Sequence, residues 1–344
     1  MKHTMHTLAI IALAATVVLG SQAFADSTTP AAGKLNNGWD GKLLNYERTE
    51  KLIVEETTPT DAQVNFWMRP PQATADAPEP RDAGAAKSRA VGKVNVTHLR
   101  FKDATGDIVP ALLCTPKDQP GPFPLVIAVH GLMSNKAQVC GQVAPALAKR
   151  GYAVLAADMP CHGERPGNPF DLVDARNFKK SFPLYRKAVI DVHQLMDLAE
   201  QRADIDHKAG FVLAGYSMGS WISSVAGPSD DRVRAMVLMV GGAFDIPAES
   251  LKIPEIATLD PRLALAHFTG RPLLLLNGKT DNVVAPDLSK RLFAASADPK
   301  KQIWYDSGHF LPDQAYEDAA KWIAEGAAKA EALKADAKPR AKAG

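Results

Sequence analysis

Cysteine is scarce in this chain: Cys114, Cys140 and Cys161 are the only ones among 344 residues. None lies in a C-x-x-C pair, so neither a zinc ribbon nor a thioredoxin-like redox site is indicated, and an odd count leaves at least one thiol unpaired within the chain. An excess of charge of one sign is also lacking. Lys and Arg total 40 against 38 Asp and Glu, a net charge of +2, which gives no basic surface for a nucleic acid. There is no H-E-x-x-H or other ligand spacing for a metal, and no G-x-G-x-x-G opens a helix after a strand. Gly278-Lys279-Thr280 is not a phosphate loop, because Leu273 stands where the first glycine is required. Neither a metal nor a nucleotide cofactor is implied.

Long apolar runs are rare too. Leu8–Gly20 follows Lys2 and precedes Ala23-Phe24-Ala25 and then Asp26, a short apolar segment with a small-x-small site after it. That pattern reads as a cleaved secretory signal over residues 1–25 rather than a membrane anchor. No cysteine sits at the cleavage point to carry a lipid, so the expectation is an exported, soluble mature chain, periplasmic or secreted.

What is present fits a globular protein: 46% of residues are hydrophobic and 23% charged, enough for one large domain, or one with a small appendage. Residues 26–92 read as an N-terminal extension that packs on the following domain. It holds short candidate elements at Leu52–Val54 and in the alternating Val64, Phe66 and Met68, then a proline- and alanine-rich linker from Pro70 to Gly92. The main domain covers 93–330. Ala315–Ala335 has helical spacing, and 331–344, ending in KPRAKAG, reads as a disordered tail.

Within the main domain, Val94–Phe101 and Ile108–Thr115 alternate about a turn and predict an antiparallel hairpin. Leu125–Val129, Tyr152–Ala157, Phe211–Ala214, Val233–Val240, Leu273–Leu276 and Gln302–Tyr305 are short apolar strands of the kind buried on both faces. Helices are predicted between them, after Ser134 or Asn135, over Phe182–Arg202, after Ser220 and over Ala285–Ala295. Alternating strand and helix predicts a mostly parallel α/β sheet flanked by helices, with ligands bound at the carboxyl ends of the strands.

The polar motifs sit at those ends. FVLAGYSMGS, from Phe211 to Ser220, is strand, tight turn and helix, with Ser217 on a G-x-S-x-G corner. A serine hydroxyl attacks only when a base takes its proton, and a histidine serves as that base when a carboxylate fixes its tautomer. Asp281 follows one later strand and His309 the last, which gives the chain order Ser, Asp, His. Asp245, after an earlier strand, is the alternative acid, and Asp306 lies too near His309 in sequence.

With HGL at His130, HGER at His162, GYSMG at Gly215, NGKTD at Asn277 and SGH at Ser307, residues 94–327 resemble the α/β-hydrolases, in the dienelactone-hydrolase-like esterase group. The resemblance implies an α/β-hydrolase fold, and the connections Arg165–Ser181 and Gly241–Phe268 are too short for a large lid. The resemblance also implies Ser217, His309 and Asp281 as the catalytic triad and the backbone N–H groups of Met218 and Leu132 as the oxyanion hole. His130, Gly131, Gly215 and Gly219 would support the motifs, His130 and His162 as hydrogen-bonded structural residues. It further brings Cys140 and Cys161 near one sheet edge, either bridged or as two buried thiols. The implied activity is hydrolysis of a small-molecule carboxylic ester. An acyltransferase, thioesterase or peptidase on the same triad, or a binding protein on this scaffold, are the alternatives.

Overall fold

The structure is a computed structural model that describes residues 39–48, 51–60, 62–63 and 94–336. The signal segment, the Val64–Met68 alternation, the Pro70–Gly92 linker and residues 337–344 lie outside the described residues.

Ten strands are found among the described residues: β1 (Val54–Thr57), β2 (Val94–Lys102), β3 (Ile108–Pro116), β4 (Phe123–Val129), β5 (Ala153–Ala157), β6 (Ile205–Asp206), β7 (Phe211–Tyr216), β8 (Val233–Met239), β9 (Leu273–Gly278) and β10 (Lys300–Tyr305). They form one sheet in the order β1-β2-β3-β5-β4-β7-β8-β9-β10, with β6 beside the start of β4. The hairpin β2–β3 is antiparallel, as its alternation predicts, and β3 joins β5 in the same sense. From β5 to β10 every pairing on that path is parallel, so β4, β5, β7, β8, β9 and β10 end on one edge of the sheet. The extension supplies β1, which pairs antiparallel with β2 at the opposite edge from β10. The strand starts where the sequence reading ends it, because Leu52 turns into the core instead of joining the ladder.

Side chains alternate across the strands, which fixes what each face meets. On β4, Leu125, Ile127 and Val129 join one core with helices α2 (Phe178–Glu200) and α3 (Met218–Ala226). Val126 and Ala128 join the other, beneath α1 (Lys136–Ala148) and α7 (Asp313–Asp336). Each fully buried aliphatic side chain contributes about 1.5–3 kcal/mol, so a sheet covered on both sides is held by hydrophobic burial before any polar contact is counted.

Local signals set the helix starts. The Asn135 side chain accepts from the N–H groups of Ala137 and Gln138 at 2.9 and 3.0 Å, the N-cap expected for α1. The connection after β8 holds two short helices, α4 (Pro254–Leu259) and α5 (Pro261–Leu265), each opened by a proline where a missing N–H costs nothing. One more helix, α6 (Pro286–Ala295), precedes β10. Helix α7 runs on to Asp336, so residues 331–336 are helical rather than part of a disordered tail. Their Ala, Glu and Lys content favours that continuation. No helix among the described residues is long and apolar enough to cross a membrane.

Candidate active site

Between β7 and α3 the backbone turns through Ser217 at φ 54° and ψ −115°, outside the ordinary basins for a residue with a side chain. Two glycines make that corner feasible. A β-carbon on Gly219 would lie 2.0 Å from the Val129 carbonyl oxygen, and one on Gly215 would lie 2.3 Å from that of Gly219. The Ser217 N–H donates to the Met239 carbonyl at 2.9 Å, and the Ser220 hydroxyl reaches the carbonyls of Gly215 and Met239 at 2.9 and 2.7 Å. The strained turn is thus tied on both sides.

His309, on the loop after β10, lies with Nε2 2.9 Å from the Ser217 hydroxyl and Nδ1 2.9 Å from Asp281 Oδ2. A carboxylate only accepts, so Nδ1 carries the proton and Nε2 is left to take one from the serine. Asp281 is held in turn by the N–H groups of Val283 and Val284 on its other oxygen, at 2.8 and 2.9 Å. The loops bearing the two residues close on each other because Gly278 has no side chain: a β-carbon there would lie 2.1 Å from the Gly308 carbonyl. Asp245 is tied to Arg291 at 3.2 Å and Asp306 to Lys279 at 2.7 Å, and neither contacts His309.

The loop after β4 reaches the same point. A β-carbon on Gly131 would lie 3.4 Å from that of Ser217, so the loop packs at Gly131 directly against the serine corner. Met218 opens α3, where N–H groups have no partner within the helix. Among the described residues neither the Leu132 nor the Met218 N–H is spent on an acceptor.

His130 is buried, and burial, helped by His162, lowers its pKa to about 4. Its Nδ1 donates to the Gly131 carbonyl at 2.8 Å and its Nε2 accepts from the Met159 N–H at 3.0 Å. The His162 ring lies 5.0 Å away, tilted by 57°, and donates from Nδ1 to the Pro160 carbonyl, with its pKa lowered by burial. No cluster of His, Cys, Asp and Glu able to hold a metal ion occurs among the described residues.

Sequence reasoning missed two supports. Tyr216, the free position of the G-x-S-x-G motif, donates its phenol to the His309 carbonyl at 2.7 Å and accepts from the Leu311 N–H at 3.3 Å, fixing the histidine loop. Buried Asp158 accepts from the backbone and ammonium of Lys136 at 2.9 and 2.7 Å and from the Glu164 N–H at 2.9 Å, joining the start of α1 to the HGER turn. Only the place of Asp158, directly after the buried strand β5, hints at this; Tyr216 carries no signal of its own.

Of the two alternatives for Cys140 and Cys161, the structure has free thiols, Cys140 buried and Cys161 half-buried. All three cysteines are free; Cys140 and Cys114 are buried in the same core, and Cys114 together with burial pushes the Cys140 thiol up. Helix α1 turns Cys140 inward onto β3, where Cys114 shares its core, whereas the Cys161 sulfur lies against Gly167.

A model of the dienelactone hydrolase family matches residues 109–335. Esterase YjfP of Escherichia coli K12 is 30% identical over 204 residues, covering 54% of this chain and 79% of that relative. An acetyl xylan esterase from Paenibacillus sp. R4 superposes with a TM-score of 0.57 at 16% identity, over 78% of this chain and 99% of that one. A PEG-bound cold-adapted esterase from an Arctic intertidal metagenomic library gives a TM-score of 0.53 at 20% identity, over 68% and 94%. At such identities the structural likeness carries the fold alone, while the family match spans most of the main domain. The chain belongs to the dienelactone hydrolase family and is a hydrolase.

Proposed function

We propose that this protein cleaves carboxylic esters of small molecules through an acyl-enzyme on Ser217, and that it does so after export. The observation that carries the reading is the unbroken line of hydrogen bonds from Ser217 through His309 to Asp281, both at 2.9 Å. His309 takes the Ser217 proton as the oxygen attacks the ester carbonyl carbon, and the resulting oxyanion accepts from the Met218 and Leu132 N–H groups. Collapse breaks the bond to the alcohol, which leaves with the proton held by His309. Water then repeats the sequence on the acyl-enzyme and frees the acid. Asp281 keeps the proton on Nδ1 and steadies the imidazolium between steps. Export is supported by the apolar segment Leu8–Gly20 and the Ala23-Phe24-Ala25 site ahead of Asp26.

A fluorophosphonate probe applied to the periplasmic or secreted fraction tests both parts. The labelled protein should begin at Asp26 and carry the adduct on Ser217, because only an activated serine attacks phosphorus quickly. Ser217→Ala should lose both labelling and ester turnover. Labelling that survives the substitution overturns the nucleophile, and a labelled chain that begins at Met1 in the cytoplasm overturns export.

A further inference from the structure

His130 spends both ring nitrogens on backbone groups, 2.8 Å from the Gly131 carbonyl oxygen and 3.0 Å from the Met159 nitrogen. A carbonyl oxygen can only accept and an amide N–H can only donate. Together the two contacts admit one form of the ring: neutral, protonated on Nδ1 and bare on Nε2. The other tautomer would set a bare nitrogen against an oxygen and an N–H against an N–H, and the imidazolium would lose the Met159 bond.

The carbonyl that His130 grips is one half of the Gly131-Leu132 peptide, and the Leu132 N–H is the other half. A trans peptide is planar, with its C=O and N–H pointing in opposite directions, so holding the oxygen aims the N–H. The Ser134 N–H bonds the same oxygen at 3.2 Å, and Gly131 packs against the Tyr216–Ser217 corner, where a β-carbon would lie 3.3 Å from the Tyr216 carbonyl oxygen and 3.4 Å from the Ser217 β-carbon. Hydrogen bonds accepted by the carbonyl also polarise the group and strengthen its N–H as a donor.

We propose that His130 is a positioning residue for the oxyanion hole: its Nδ1–H form, selected by the Met159 N–H, orients and polarises the Gly131-Leu132 peptide so that Leu132 meets the developing oxyanion. This rests on the acyl-enzyme reading above. Through Met159, the residue after Asp158, the HGER turn and its buried Lys136–Asp158 pair reach the reaction without touching the substrate.

Two substitutions separate the two bonds. The amide nitrogen of asparagine overlays Nδ1, so His130→Asn keeps a donor for the Gly131 carbonyl. The amide oxygen of glutamine overlays Nε2, so His130→Gln keeps only an acceptor for Met159. With p-nitrophenyl acetate, kcat of His130→Gln should fall roughly 10- to 100-fold below that of His130→Asn, approaching the loss of an oxyanion donor, with similar KM. Affinity for phenylboronic acid, whose tetrahedral adduct places an oxygen in the hole, should fall in the same order. Equal kcat values, or the reverse order, overturn the proposal and leave His130 as a tether for Met159. Fluorophosphonate labelling of the unsubstituted protein keeps the two questions apart: no adduct on Ser217 means that the acyl-enzyme reading has failed, whereas an adduct with the wrong variant order means that only this proposal has. Should a variant not fold, ¹⁵N-histidine spectra of the unsubstituted protein decide: His130 protonated on Nδ1 is expected, and protonation on Nε2 overturns the proposal.

Discussion

Asp281 has each carboxylate oxygen committed, one to two backbone N–H groups and the other to His309. Asparagine would present its amide nitrogen or its oxygen to His309 with no charge to hold the imidazolium, so Asp281→Asn should lower kcat about 10⁴-fold while the fold persists. Asp245→Asn, by contrast, should change kcat by less than about twofold, since its carboxylate meets only the exposed Arg291 pair. A comparison of kcat with circular dichroism for both variants checks this, and a reversed pattern moves the acid to the earlier strand. That Asp281 and not Asp245 meets His309 was legible in the sequence, because a short turn after a buried strand leaves a side chain little freedom, whereas Asp245 follows a longer loop. Tyr216 was not legible. Its contact with His309 spans 93 positions, and a motif's free position constrains nothing by itself. The choice between a bridge and free thiols for Cys140 and Cys161 was not legible for a related reason: fold resemblance places residues near an edge, but the rotation of one helix decides which neighbour a side chain meets.

At the scale of elements, the buried strands declared themselves as short apolar runs, and the helices between them followed from caps and spacing. The extension gave far weaker signals, because what holds it lies far away in the chain. The indole of Trp39 donates to the Thr258 carbonyl at 2.9 Å, the Thr258 hydroxyl returns to Asp40 at 3.2 Å, and Arg186 grips the carbonyls of Leu43 and Asn45. The Tyr46 phenol donates to Asp197 on α2. Leu44, in a single 3₁₀ turn with Asp40 as its cap, is only 1% exposed and belongs to the core under α2 and α3. The segment is therefore part of the folding unit rather than a loose leader. Leu44→Ala should cost about 2–5 kcal/mol, read as a lower urea midpoint at unchanged slope. A loss below about 1 kcal/mol would mean that residues 39–48 do not stay seated in solution.

For the whole molecule, balanced charge and composition announced a single globular unit, but its response to acid depends on partners no sequence reveals. Glu164 is held down to about 2, first by its hydrogen bond from His98 and then by Lys136, which outweigh burial. Burial pushes Asp103 and Asp230 up, but hydrogen bonds from Lys187 and Arg232 prevail and leave both below the ordinary range. These groups add stability above about pH 4, which is lost as pH falls through their folded values. The buried histidines act earlier. Burial lowers His130, His162 and His193, so below about pH 6.5 the unfolded chain binds protons that the folded one refuses, and stability falls with pH. For His130 alone, lowered from 6.5 to about 4, the difference is about 3 kcal/mol once pH reaches 4. Asp191 works in the opposite sense: burial raises it to about 6 against the pull of Arg165, so the folded chain retains a proton and gains stability as pH drops from 6 towards 4. One opposing carboxyl against three histidines leaves a net decline. The urea midpoint should be level from pH 8 to 7, fall from pH 6.5 to 4 and fall faster below 4. The decline between pH 6.5 and 4 should shrink in His130→Asn, which removes one of the three groups. A midpoint that holds or rises from pH 7 to 5 would show that the buried histidines gain protons without unfolding, or that Asp191 outweighs them.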